Sequence, residues 1–396
     1  MKIFLPIAAV ILCISMLVFP KDTFEAASIG LTTWWTIVFP SLLPFFIMAE
    51  LFLGLGIVHF ISILLEPIMR PIFNLPGCAA FVVALGYSSG FPVGASLTTS
   101  LRKQNLCTRL EGERLLSFTN NASPLFIFVA VSVGIFHKPS LGILLATAHY
   151  LSNLILGIFL QLYGRHDPEK VQQKIFYQHI ILKSFKAMFD AQKKDGRPLG
   201  KLLSDAVRKS IQSLATIGGF IILFAVLIRI FGILGITQYI EKIIALIFYP
   251  LHFPDSLITA LSGGLFEMTM GAKMVGESIA PLPQQIIAVS MIMGWSGLCI
   301  HAQIVGIISE SDLRFLPFFL TRIAHMILSG LFAYLLIKNQ AISVVNMIVP
   351  DVHVNSISYV LIPFGLCLFS VLITICTVFF HILIFKTVYL VAKFRR

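Results

Sequence analysis

The chain has 396 residues, of which 57% are hydrophobic and 12% charged, with a formal net charge of +11 and a mean hydropathy of +0.92. A soluble domain carries about 25% charged residues, so this composition excludes an ordinary soluble protein and points to several membrane-crossing helices. The basic excess does not indicate nucleic-acid binding. Eleven Lys and Arg against five acids lie between Arg165 and Lys209, and the chain ends Lys393-Phe394-Arg395-Arg396, the pattern of cytoplasmic loops and tails.

Apolar segments of spanning length occur at 3–20, 36–60, 113–136, 140–163, 211–235, 285–308, 313–338 and 358–385. The first lacks a small-residue cleavage site and precedes further spans, so it reads as an uncleaved helix. Eight spans with the basic 164–210 loop inside put both termini in the cytoplasm. Arg102, Lys103, Arg109 and Arg314 then lie on the same side, while Lys21 and Lys338 fall outside. Two further apolar segments, 76–101 and 254–280, do not read as spans. Each follows an amphipathic stretch (61–76 and 237–254) and is interrupted midway by glycines and polar residues. Read as re-entrant hairpins, they keep the 102–109 charges inside, the first opening to the cytoplasm and the second to the outside.

The segments repeat. At an offset of 177, GYSSGFPVGAS (86–96) falls on GGLFEMTMGAK (263–273). At 179, LGIVHFISILLEPIMRP (55–71) falls on LGITQYIEKIIALIFYP (234–250). At 177 again, FTNNASPLFIFV (118–129) lies on WSGLCIHAQIVG (295–306), and AHYLS (148–152) meets AHMIL (324–328) at 176. The expected fold is therefore an all-α polytopic membrane protein of about eight transmembrane helices plus two opposed re-entrant hairpins in an inverted-topology repeat, an organisation of secondary transporters. Its parts are an N-terminal helix (1–30), a first repeat (31–163), the basic loop (164–210), a second repeat (211–338), and a C-terminal helix with basic tail (339–396). The six cysteines show no CxxC pairing and read as packing residues.

Non-helical backbone at membrane depth is tolerated only where protein or a water-filled cavity satisfies it. The tips Ser88-Ser89-Gly90 and Phe266-Glu267-Met268-Thr269 would free backbone amides, which attract anionic groups. GxxxG helix packing is the alternative for Gly86, Gly90 and Gly94, although it leaves Pro92 and the serine pair without a reason. TNNASPLF (119–126) interrupts a span with Asn120, Asn121, Ser123 and Pro124, and its counterpart GWSGLCIHAQ (294–303) carries Ser296, His301 and Gln303. Such residues serve either as interhelical glue or as ligand contacts. Ionisable residues within spans are functional candidates, here Glu267, Arg322, His149 and His325, with Lys273 and Glu277 further along the second hairpin. Arg322 would meet an anionic ligand or pair with Glu267 or another acid, and Glu267 suits a coupling proton or cation. No HExxH, GxSxG or Walker A pattern is present, nor Cys/His metal spacing, so neither an enzyme nor a bound cofactor is expected.

GYSSGFPVGAS, EGERLLSFTNNASPLFIF (111–128), FEMTMGAK and GLCIHAQIVGI (297–307) resemble the sporulation integral membrane protein family YlbJ, also called SpoVV, of endospore-forming Firmicutes, over residues 25–340. The resemblance implies a nucleoside-recognition or gate domain, organised like concentrative nucleoside transporters, with substrate held between hairpin tips and unwound helices. It thereby implies contacts from Ser88, Ser89, Asn120, Asn121, Glu267, Thr269, Ser296 and His301. The residue reading adds Gly90, Ser123, Gln303 and Arg322. The family role implied is movement of dipicolinic acid, a planar dicarboxylate, across the outer forespore membrane, and the transporter likeness implies a trimer. A nucleoside or nucleobase transporter and a non-transporting spore-envelope assembly factor are the alternatives.

Overall fold

Helices form all the regular structure among the described residues, which in this computed structural model are 4–164, 167–169 and 180–338. The expected span at 358–385 and the basic tail lie outside them. The chain opens with α1 (Phe4–Val18) and α2 (Pro20–Thr33), where Pro20 takes the first helical position that suits its missing N–H. A short π-helical stretch, Trp34–Val38, leads into α3 (Phe39–Gly54). Leu55 and Gly56 then turn the chain through 82° into α4 (Ile57–Phe73). The first hairpin follows as α5 (Ala79–Ser89) and α6 (Val93–Lys103), then α7 (Arg109–Thr119), a π-helical segment (Leu125–Ile135) and α8 (Leu141–Phe159). Thr108 starts α7 with a reciprocal cap, its Oγ1 accepting from the Glu111 amide while the Glu111 carboxylate accepts from the Thr108 amide.

The remaining helices are α9 (Ile180–Asp195), α10 (Leu199–Ile233), α11 (Ile236–Ile247), α12 (Asp255–Phe266), α13 (Met268–Glu277), α14 (Leu282–Trp295), α15 (Gly297–Ile308) and α16 (Phe315–Lys338). From α3 to α8 and from α10 to α16 the order is the same: a long helix, an amphipathic helix, a helical hairpin, a broken helix and a final helix. The backbone repeats in detail. Gly56 (φ +72°) and Gly235 (φ +75°) start the amphipathic helices in the same left-handed conformation, and Asn74 (φ +55°) and His252 (φ +49°) both follow them in it.

The sequence pattern suggests eight spans. By length and composition, four described helical segments can cross a membrane: Leu141–Leu162, Leu199–Ile233, Leu282–Ile308 and Phe315–Lys338, with a fifth if the bent α3–α4 pair counts as one. The difference has physical causes. Apolar segment 3–20 yields a 15-residue helix, segment 36–60 bends at Gly56, and segment 113–136 is interrupted between Thr119 and Leu125. At 35 residues α10 is about 52 Å long, beyond a hydrocarbon core of about 30 Å. Its first turns therefore occupy the end of the basic 164–210 stretch, which is largely helical where described.

Bonds tie the base of each hairpin, both across its ends and to the flanking helices. At the first, the Arg70 guanidinium binds Glu66 and Glu111, Cys78 donates to the Leu106 carbonyl (3.5 Å), and Arg114 donates to the Asn74 carbonyl (2.6 Å). At the second, Ser256 reaches the Ile279 carbonyl and Gln284 the His252 carbonyl, each at 3.4 Å. The end bearing the first hairpin's base is charged. Arg102 holds Asp312 (2.7 Å) and Glu169 (3.0 Å), Lys103 holds Glu310, and buried Glu113 holds Arg314 (2.8 Å) and the Tyr163 hydroxyl (2.7 Å). The Arg102 hydrogen bonds hold the Asp312 carboxyl below its ordinary 3.8. A lowered folded-state pKa stabilises above the unfolded value and loses that effect as pH falls through the folded one. The stability difference between wild type and Asp312→Asn should therefore be greatest at neutral pH. It should close as the pH drops well below 3.8, read by unfolding midpoints in detergent across the acid range.

Two large buried apolar clusters, beside two smaller ones, fill most of the interior among the described residues. One gathers α3–α7 residues with Leu214 and Ile217 of α10. The other gathers α12–α16 residues with Phe91, Ala122, Ile127 and several α8 side chains. The second helix of each hairpin packs on its own repeat's broken helix and also on the far part of the other's: α6 on α7 and α15, and α13 on α14 and the 125–135 segment. Close approach sets the first contact. A Cβ on Gly86 would lie 2.2 Å from the Thr119 carbonyl oxygen, and one on Gly94 2.5 Å from the same atom. Gly94→Ala should cost about 1–3 kcal/mol, seen as a lowered unfolding midpoint. Gly219→Ala, inside α10 and with open space around the added atom, should keep or slightly raise the midpoint.

Candidate functional site

The first break follows from residues that do not hold a helix. After Thr119, Asn120 takes an extended conformation (φ −96°, ψ 102°), and Pro124 precedes the next helical stretch. The backbone groups freed there need partners, because an unpaired amide or carbonyl in an apolar medium costs several kcal/mol. Side chains from α8 and α16 supply them. Arg322 is fully buried; its Nη1 donates to the Asn120 carbonyl (2.8 Å), and its Nη2 to the Ser117 carbonyl (2.8 Å) and Asn153 Oδ1 (3.1 Å). Asn153 Nδ2 donates to Asn121 Oδ1 (2.7 Å), the Tyr87 hydroxyl (3.1 Å) and the Phe118 carbonyl. The Ala122 amide donates to His149 Nε2 (3.1 Å), and Tyr150 donates to the Ala122 carbonyl (2.9 Å).

The first hairpin tip is seated on this break. The Ala95 amide donates to Asn120 Oδ1 (2.9 Å), and Gly90 (φ +87°) backs onto Ser123, whose Cβ lies 2.9 Å from where a Gly90 Cβ would stand. Ser123 Oγ accepts from the Phe126 amide (3.2 Å). Ser89 is buried with no partner for its hydroxyl among the described residues, whereas Ser88 is half-buried and donates to the Leu85 carbonyl (3.3 Å).

The second half uses different chemistry for the same contact. Ser296 (φ +73°) and Gly297 (φ +81°) make two successive left-handed residues between α14 and α15. A side chain on Gly297 would meet the Met268 amide and Phe266 carbonyl at 3.0 Å, so the second tip rests directly on this backbone. Half-buried Glu267 caps α13, accepting from the Thr269 (3.0 Å) and Met270 (2.7 Å) amides. Buried His301 bonds the Gly297 carbonyl through Nδ1 (2.8 Å) and lies 4.3 Å from the Trp295 ring, while Nε2 has no partner among the described residues. Gln303 Nε2 reaches Cys299 Sγ (3.4 Å), and its Oε1 has no partner among the described residues.

Phe318 joins the two groups: the Arg322 guanidinium lies 5.4 Å and the His301 ring 5.3 Å from its centroid. Phe91 of the first tip and Met268 of the second belong to one buried apolar cluster. Of the twelve sequence-selected residues, Gly90, Asn120, Asn121, Ser123 and Arg322 form a connected group with the first break. Glu267, Ser296, His301 and Gln303 surround the second, with Thr269 joined through its amide to Glu267. Ser88 is oriented back along its own helix.

The guanidinium has no carboxylate partner among the described residues, and its Nε is unbonded. The pairing with Glu267 that the sequence allows is not formed. Arg322 faces carbonyls instead and brings a positive charge into the interior without a neutralising acid. Asn153 was not selected from the sequence, although it stands one turn after His149 on the same face of α8, an i, i+4 polar pair within an apolar helix. His149 and His325, aligned by the repeat, meet in space with ring centroids 4.6 Å apart. Because an amide N–H can only donate, His149 Nε2 carries the lone pair, while His325 Nε2 donates to the His149 carbonyl (2.9 Å).

The geometry is that of an all-helical integral membrane protein in which two hairpin tips rest on two broken helices. Residues 35–152 and 214–314 match the gate family described as nucleoside recognition. Over 320 residues the chain is 47% identical to the sporulation integral membrane protein YlbJ of Bacillus subtilis (strain 168), covering 81% of this chain and 78% of that protein. The chain belongs to this family of sporulation integral membrane proteins with a nucleoside-recognition gate domain. No solved structure matches it.

Asn153→Leu should destabilise the fold by about 1–3 kcal/mol, because it strands the Phe118 carbonyl, Asn121 Oδ1 and one Arg322 N–H together. Denaturant unfolding in detergent measures this; Leu154→Ala alongside separates a packing loss from the loss of hydrogen bonds.

Proposed function

We propose that the chain is a secondary transporter of a small aromatic dicarboxylate, with dipicolinic acid as substrate, alternating access around the two hairpins. The observation that carries this reading is Arg322, a buried guanidinium with no carboxylate partner among the described residues, held beside a broken helix. Buried charges are costly unless paired, and an entering carboxylate would supply the missing counter-charge. Buried polar atoms without partners call for an explanation, and a ligand is one. Ser89 Oγ, His301 Nε2 and Gln303 Oε1 are such atoms near the tips and breaks.

In this reading the hairpins are re-entrant, the halves form an inverted-topology repeat, and both termini face the cytoplasm. The protein works in the outer forespore membrane as a trimer and catalyses no chemical step. Glu267, a half-buried carboxylate at a helix start, is the proposed place for a coupling proton or sodium ion. The family's description, nucleoside recognition, favours a second reading in which uridine or a related nucleoside is the cargo. A sporulation relative by itself is also compatible with a non-transporting envelope factor.

Purified protein in liposomes separates the three. Labelled dipicolinate should accumulate and labelled uridine should not; Arg322→Gln should lower dipicolinate uptake at least ten-fold. Uridine uptake alone would replace the substrate, and uptake of neither would leave the envelope-factor reading. Ser89→Ala should raise KM several-fold while changing stability by less than about 0.5 kcal/mol, because its hydroxyl makes no bond within the described protein.

A further inference from the structure

Helix α9 lies between the two segments that match the gate family, within the unmatched stretch 153–213. It runs antiparallel along α4. The Phe185 ring meets Phe60 edge-on at 4.9 Å, the Met188 carbonyl and Ala191 abut Gly56, and Gln192 Nε2 donates to the Leu55 carbonyl (2.8 Å). Since α4 leaves α3 at 82°, α9 also lies across the direction of α3. Helix α3 packs along α10, a helix long and apolar enough to cross a membrane, so α9 runs across the direction of a candidate span.

Its composition divides into three faces. Ser184 is buried, and Ala187, Met188, Ala191 and Gln192 are half-buried against α4. At about 100° per residue, Ile181, Phe185, Phe189 and Leu182 form a stripe on one side of that packed face. Their exposures are 60%, 44%, 58% and 70%. Lys183, Lys186, Lys193 and Lys194 form a stripe on the other side, with Asp190 as the one acid among them. Lys186, Lys193 and Lys194 are exposed and have no ion-pair partner among the described residues.

We propose that α9 is an interfacial helix that binds anionic phospholipid headgroups, its apolar stripe entering the acyl boundary and its lysines contacting the phosphates. The side-by-side stripes decide for this occupant. Apolar and basic residues on adjacent faces of one surface-lying helix fit the boundary between hydrocarbon and headgroups. An acidic soluble protein would use the lysines and leave the phenylalanines in water.

The test is hydrogen exchange of the full-length chain in nanodiscs of phosphatidylcholine, with and without 30 mol% phosphatidylglycerol. Amides of 181–194 should exchange at least three-fold more slowly with the anionic lipid, and the triple variant Lys186→Gln, Lys193→Gln, Lys194→Gln should lose that difference. Native mass spectrometry should show the same variant retaining phosphatidylglycerol about ten-fold less well or weaker still. Unchanged exchange in the hairpins controls for folding. Equal exchange in the two bilayers, or a lipid effect that survives in the variant, overturns the proposal. Protection that instead rises with protein concentration would assign the face to a second copy of the chain and overturn it as well.

Discussion

The guanidinium of Arg322 satisfies the carbonyls that the first break sets free. Where α7 stops, the carbonyls of Ser117 and Asn120 lose their helical partners in a region with almost no access to water, and Arg322 takes both. Asn153 and His149 take most of what remains. Asn153 and His149 come from α8, the next helix along the chain, but Arg322 comes from α16, 202 and 205 residues away from the carbonyls it binds. The first-half break therefore depends on a second-half helix, which explains why α16 packs against both α7 and α8. Unwinding a helix in an apolar interior is permitted when a donor waits for each freed acceptor, and that requirement fixes how the halves are assembled.

The same constraint is met asymmetrically. His149 and His325 occupy equivalent places and touch, yet at the offset of 176 that relates them, Arg322 corresponds to Ala146 and Asn153 to Ser329. Ser329 makes a plain helix-to-helix bond, to the Ser290 carbonyl at 2.8 Å. The second break dispenses with donors of that kind by folding tightly through two left-handed residues, Ser296 and Gly297. A shared architecture thus carries a buried positive charge at the first break and a carboxylate, Glu267, at the second tip, and an anionic group entering it would find one preferred pole.

The sequence reveals the breaks because they are written locally. TNNASP, GYSSGFPVG and GWSG each place helix-averse residues together, and the junctions at Gly56 and Gly235 stand in matching LGI triplets. The partners of Arg322 were not legible. They lie 169 to 205 residues away, two are carbonyls that any residue possesses, and charge alone suggested Glu267. Asn153 is hidden because one polar residue in an apolar helix is ambiguous between glue and site. Within 164–210 the density of lysine dominates the reading, although positions 181, 185 and 189 keep a helical apolar period that identifies α9.

The seating of the tips limits how such a molecule could move. The first tip is fixed to its own repeat's break by the Ala95–Asn120 bond and by backbone contact with Ser123, and the second by the stacking of Gly297 beneath Glu267 and Met268. Contacts this close have no slack, because a methyl group at Gly94 or Gly297 would already collide. Sliding a tip over its seat would expose the amides that the seat satisfies. The apolar cluster to which Phe91 and Met268 both belong carries no such obligation, since dispersion and burial can be re-formed in another register at little cost. A rearrangement that opens a path should therefore keep each tip with its break, keep the Arg322 bonds that tie α16 to α7 and α8, and repack the apolar surface around Phe91 and Met268.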